Sequence, residues 1–131
     1  MANEAVLIYE TDIPIPFTCD NATGIEKGCL LKLSDPMTVA AATADNDTFI
    51  GIAAEEKIAS DGKTKIGVYT RGIFKLVIDA GDISTVATDV SIRGANTIGI
   101  MDTLDREVGK SVGKAMETGV AGESVLVFVG Y

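Results

Sequence analysis

From about residue 28 onward the chain is a succession of short apolar runs, each cut off by a turn built from Gly, Asp, Asn or Pro. That pattern leaves little room for helix. Cys29–Leu33, Thr38–Ala42, Phe49–Ala54, Thr64–Thr70, Ile73–Ile78, Asp89–Arg93, Thr97–Met101, Val112–Glu117 and Ser124–Val129 all read as strands. Many short strands at near-regular spacing, joined by Gly-rich turns, predict an all-β fold with minor α, either a compact barrel or a sandwich-like domain. Thr64–Thr70 alternates, placing Ile66 and Val68 on one face and Lys65, Gly67 and Tyr69 on the other. Ser34-Asp35-Pro36 is a turn in which Pro presets φ, and Ser60-Asp61-Gly62-Lys63 has the Asp-Gly pair that suits a type I′ hairpin. Helix is predicted only near Asp102–Lys110 and Glu55–Ser60, and both would be short.

The first twenty residues have another character. Val6-Leu7-Ile8-Tyr9 and Ile13-Pro14-Ile15-Pro16-Phe17 are apolar and extended, and the two prolines exclude helix. Because Pro cannot donate to a sheet ladder, the stretch is an edge strand or a free arm. The arm reading is favoured, with residues 1–20 extended and residues 21–131 a single barrel-like domain. Within that domain Gly51-Ile52-Ala53-Ala54-Glu55 is echoed by Gly113-Lys114-Ala115-Met116-Glu117. The echo suggests two similar β-units, about 28–75 and 87–131.

Composition narrows the chemistry. Acidic residues outnumber basic ones by 19 to 11, a net charge of −8, which repels nucleic acid. Histidine is absent, so the usual neutral-pH acid and base is missing, along with the commonest metal ligand. Hydrophobic residues make up 47% but aromatics only 5%, leaving small aliphatic side chains in excess of what one small core can cover. An oligomer would cover them. No apolar run approaches a membrane span, and Met1-Ala2-Asn3-Glu4 lacks the basic stretch of a signal peptide. Cys19 and Cys29 are expected to be reduced and buried, with an intramolecular disulfide the lesser option. The sequons at Asn21 and Asn46 are read as chance matches.

No motif for catalysis, metal or cofactor survives inspection. Gly109-Lys110-Ser111 resembles the end of a phosphate loop, but Leu104 stands where the first Gly is required. Gly94 and Gly99 form an isolated pair. Asp45, Asn46 and Asp47 fail as a calcium loop, because the alternating set runs on to Phe49 and the sixth residue is Ile50. Ser91, Ser111 and Cys29 lack a recognisable base, and Asp79 and Asp82 flank a tight turn. Lys63, Lys65 and Arg71 read as a polar strand face.

The order of features nevertheless resembles a family. An apolar leader is followed by Gly28-Cys29-Leu30-Leu31, Gly51-Ile52-Ala53 and Val68-Tyr69-Thr70-Arg71-Gly72-Ile73-Phe74. The chain then closes on Val112-Gly113-Lys114-Ala115-Met116-Glu117, a Gly-rich turn and Val125–Val129. Over nearly its whole length the chain is similar to phage head decoration, or capsid cement, proteins. The resemblance implies a compact β-barrel-like fold without catalytic residues or cofactors. It implies a homo-oligomer, preferably a trimer, bound to the major capsid protein on the outer surface of the virion after synthesis in the host cytoplasm. Nucleic acid and membrane are not among the implied partners.

Shell contact would fall to the arm: Val6, Leu7, Ile8, Tyr9, Ile13, Pro14, Ile15, Pro16 and Phe17. On that reading, removing residues 2–17 would abolish shell binding and leave the β-core folded. The charged segment Asp102-Thr103-Leu104-Asp105-Arg106-Glu107 is additional to the family pattern. A different class of function, a small soluble β-barrel that binds a ligand or peptide, would show as a monomer with a pocket and ligand-dependent stabilisation.

Overall fold

The computed structural model describes residues 3–45, 47–79, 81–101 and 109–130. These form strands and turns, with no helix among the described residues. The first strand, β1 (Val6–Tyr9), stands apart from two closed sets of five. One set comprises β2 (Ile15–Cys19), β3 (Leu30–Asp35), β4 (Thr38–Ala41), β5 (Gly51–Ala53) and β6 (Lys65–Tyr69). The other comprises β7 (Gly72–Ile78), β8 (Asp89–Gly94), β9 (Thr97–Ile100), β10 (Ser111–Ala115) and β11 (Ser124–Val129). Their orders around the barrel are β2-β4-β3-β5-β6 and β7-β9-β8-β10-β11, each closing on itself.

The two barrels are built alike, strand for strand. Each closes through one parallel pair, β2 with β4 at Thr18↔Thr38 and Cys19↔Val39, β7 with β9 at Val77↔Thr97 and Ile78↔Ile98. An isolated antiparallel bridge also recurs, Ile25↔Lys57 in the first and Ile83↔Gly119 in the second. The echo in the sequence has a physical cause at both its ends. Gly51 and Gly113 sit where the neighbouring strand comes closest: a Cβ on Gly51 would lie 2.5 Å from the Tyr69 carbonyl oxygen, and one on Gly113 would collide with that of Phe128. Glu55 and Glu117 each accept from a strand N–H, Gly67 at 3.2 Å and Leu126 at 2.8 Å. In the structure each unit begins one strand earlier than the echo suggests, with β2 and with β7.

Alternation along the strands fills each interior. Phe17, Cys19, Ile25, Cys29, Leu31, Val39, Ala53, Ile66 and Val68 form the core of the first barrel. The second core runs from Phe74, Leu76 and Ile78 through Val90, Ile92 and Ile98 to Val125, Val127 and Val129. Leu30, Ala42 and Ile52 join this second core although their strands and loop belong to the first barrel. The junction is thus a continuation of the core. Across it the Leu30 amide donates to Asn96 Oδ1 at 3.0 Å, and the rings of Tyr69 and Phe74 meet edge to face at 5.7 Å.

The leader is not one extended arm. Ile15–Cys19 is a stave of the first barrel, and Val6–Tyr9 pairs antiparallel with β7 at Val6↔Lys75, Leu7↔Phe74 and Tyr9↔Ile73. The prolines are accommodated by alternation. Thr18 N–H donates to Met37 O on the β4 side, whereas Cys19 N–H donates to Thr64 O on the β6 side. Two and four residues before Thr18, the nitrogens of Pro16 and Pro14 therefore face the β4 side at a level where that parallel strand has not yet begun. They leave an edge without donors. The matching edge of β7, at Ile73 and Lys75, keeps its N–H groups and is covered by β1.

Two local expectations are corrected. No helix forms over Glu55–Ser60, because Lys57 turns inward, 2% exposed, and uses its ammonium on Asn21 O (2.9 Å), Ile58 O (2.7 Å) and Asp61 Oδ1 (2.8 Å). These contacts wrap residues 58–61 around one cation, and the Lys57 hydrogen bond holds the Asp61 carboxyl below its ordinary range, helped by the Lys63 amide. The same wrapping replaces the type I′ turn: positive φ falls on Ser60 (59°) and Gly62 (86°), and not on Asp61. The helix expected near Asp102–Lys110 lies almost wholly outside the described residues.

Candidate binding surfaces

Cys19 and Cys29 are free thiols inside the first barrel, 3% and 0% exposed. Burial, with Glu26 and Glu4 adding to it, pushes the Cys29 thiol up to about 11. Burial raises Cys19 as well. A protonated, enclosed thiol is a poor nucleophile and a poor ligand. Between the ordinary thiol value, about 8.5, and about 11, the unfolded chain has lost a proton that the folded one retains. Stability must therefore fall as pH rises through that window. Chemical denaturation at stepped pH will show the decline, and Cys29→Ala will make it shallower. A thiol reagent at pH 8 will label neither cysteine until denaturant is added.

Among the described residues no three His, Cys, Asp or Glu side chains come together in a way that could hold a metal. What the surface does offer is apolar. Of the nine leader residues proposed for contact, Val6 (57%), Ile8 (40%), Tyr9 (63%), Ile13 (76%) and Ile15 (41%) are exposed. Phe17 is a core residue, and Leu7 packs against the second core, so neither presents its side chain outward. Pro14 and Pro16 form the donor-free edge described above. Tyr9 lies beside Gly72, and Glu10 accepts from the Tyr69 hydroxyl at 3.1 Å.

A second apolar surface escapes the strand-by-strand reading. Val86, Ala87, Ala115, Met116 and Phe128, with Lys114 at one side, line an open groove of about 280 Å³ on the outside of the second barrel. Val86 and Met116 are 58% and 47% exposed. These residues come from β10, β11 and the turn before β8, so nothing in the linear order gathers them. Aligning the two halves of the sequence echo does: Met116 and Lys114 occupy the places of Ala54 and Ile52.

No family model matches the sequence, and no curated protein matches it either. In three dimensions the chain is similar to the N base of head fiber gp8.5 in bacteriophage phi29, with a TM-score of 0.56 over 88% of this chain and 93% of that one, at 18% identity. At that identity the likeness establishes a common fold.

Proposed function

We propose that the protein is a non-enzymatic structural component of a phage head, an oligomer, preferably a trimer, that binds the major capsid protein on the outer surface of the shell and stabilises it. The observation that carries this reading is a double-barrel fold shared, over almost the full length of both chains, with the base of a phage head fiber. The surface chemistry supports it. A pair of barrels with filled interiors presents exposed aliphatic residues on strand β1, which is paired to β7 and so held ready for contact. Several copies engaging several shell sites at once would turn modest contacts into firm attachment.

Within the leader, the residues fit for shell contact are Val6, Ile8 and Tyr9, whose side chains point away from the barrel they are paired to. The test is co-sedimentation of the purified protein with purified expanded shells. Wild-type protein should bind and should raise the temperature at which the shells open. Val6→Glu/Ile8→Glu should leave the fold unchanged by circular dichroism and lower binding at least tenfold. Unchanged binding by that variant would remove β1 from the contact, and no binding by the wild type would remove the function.

A further inference from the structure

The leader rests on a seat drawn from both barrels. On the first, the Ala5 amide donates to Gly28 O at 2.9 Å. The chain passes so close there that a Cβ on Gly28 would lie 2.7 Å from Ala5 O and 2.9 Å from Glu4 Cβ. On the second barrel, β1 pairs along β7 at Lys75, Phe74 and Ile73. The internal repeat supplies another copy of each half-seat.

Gly28 corresponds to Ala87. Gly28 N–H donates to Ala53 O while Ala53 N–H donates to Cys29 O, and Ala87, Ala115 and Thr88 repeat both bonds. Gly28 and Ala87 also share a positive φ, 87° and 64°. The β7 edge corresponds to that of β2. Ala53↔Val68 matches Ala115↔Val127, so Ile15↔Val68 matches Phe74↔Val127. Pro14 then stands at the place of Ile73 and Pro16 at that of Lys75.

Neither copy can hold a strand as the original does. Ala87 puts a methyl on the path that the leader follows over Gly28, and does so in the left-handed region that disfavours a side chain. It is exposed, so core packing does not account for that methyl. On β2, the two residues whose N–H groups would bond an incoming strand are both proline.

We infer that Ala87, Pro14 and Pro16 are specificity residues that close both spare half-seats, so that a leader, its own or that of a second copy of this chain, docks only at the junction of the barrels. Consecutive strands usually lie side by side, and only residues 10–14 separate β1 from β2. A β1–β2 hairpin is therefore the local competitor that the prolines remove. Between copies, an open β2 edge would be a template for strand addition. The inference stands apart from the shell-binding function proposed above, since it concerns how copies are kept from exchanging leaders.

The test uses the full chain and, as a second leader, a fluorescent synthetic peptide of residues 2–10, read by anisotropy and by backbone hydrogen exchange. Wild-type protein should take up none. Pro14→Thr/Pro16→Thr should keep its circular dichroism spectrum and bind the peptide saturably. Its new amides at 14 and 16 should be slowed roughly two- to tenfold, as one hydrogen bond of ordinary strength gives. Gly28→Ala asks whether a methyl closes the true seat, and Ala87 shows that the same turn accepts alanine. That variant should keep its spectrum and exchange the Ala5 amide faster by a similar factor. Rapid exchange at 14 and 16 with no peptide bound would overturn the role of the prolines. An Ala5 amide as slow in Gly28→Ala as in wild type would overturn that of Ala87. Uptake by wild-type protein whose own β1 stays protected would overturn the single seat outright. Shells play no part in these measurements, so the co-sedimentation assay is decided separately.

Discussion

A chain lacking residues 2–17 will not form its first barrel. The deletion removes most of β2, and with it the stave that pairs with both β4 and β6. Phe17 is lost from the core, which on its own costs about 3–5 kcal/mol for an aromatic side chain truncated to alanine. The freed edges of β4 and β6 would leave unpaired backbone groups along a hydrophobic cavity, each costing about 1–3 kcal/mol where buried, and added to Phe17 these losses reach the margin of a small domain, roughly 5–15 kcal/mol. The measurable result is loss of the cooperative thermal transition and protease sensitivity of residues 21–69. Removing only residues 2–9 is a different experiment. It uncovers the β7 edge and the flank of the second core where Ala5 and Leu7 rest, but leaves both barrels closed. The expected cost is about 2–3 kcal/mol, mostly the burial of Leu7, with the transition still cooperative. Failure of shell binding by the longer deletion would therefore report unfolding, and only the shorter one bears on contact.

Gly113→Ala should be nearly as damaging as losing a core aromatic. Its Cβ would be driven into the carbonyl of Phe128 in the adjacent strand, and backbone cannot step aside as a flexible side chain can. Overpacking against movable side chains costs about 1–3 kcal/mol, and a fixed ladder puts this substitution at or above the top of that range. Gly51→Ala should follow it in the first barrel, where Val68 Cγ1 and Tyr69 O both lie at 2.5 Å from the added carbon. Gly62→Ala supplies the control, since a Cβ there meets nothing within 4 Å. Its φ of 86° leaves only the local backbone penalty, about 1 kcal/mol. Urea denaturation of the three variants orders them directly. Equal stability of Gly113→Ala and wild type would mean that β10 and β11 are not in the register Gly113↔Val129.

Much of this architecture is written locally. Ser124–Val129 reads from its alternation and forms β11 over the same residues, and Ile66 and Val68 turn inward as their spacing dictates. The misread segments share a cause, in that distant parts of the chain decide them. Pro14 and Pro16 argue against an interior strand only while that strand is imagined with both edges paired. Beside a β4 too short to reach them, they are compatible with β2. Glu55, Glu56 and Lys57 are sound helix formers, yet the carbonyls of Asn21 and Ile58 hold the Lys57 ammonium and pull the segment into a loop. The exposed surface of the leader is legible only in part. Exposed aliphatic residues were expected there, but which of them the barrels consume depends on pairings with β6 and β7. The groove was illegible for a stronger reason, since its lining is assembled from separate strands and emerges only once the two halves are superposed.

The seating of β1 on β7 also sets an order of events during synthesis. Strand β1 leaves the ribosome before the first barrel but finds its partner only after the whole of that barrel has been made, because Val6 pairs with Lys75. Until then Val6, Ile8 and Tyr9 are a loose hydrophobic tail on a nascent chain, and the first barrel can close behind them through its own parallel pair, β2 with β4. Docking of that tail is thus a late latch. It holds the residues proposed for shell contact in place only on molecules whose second half has already begun to fold.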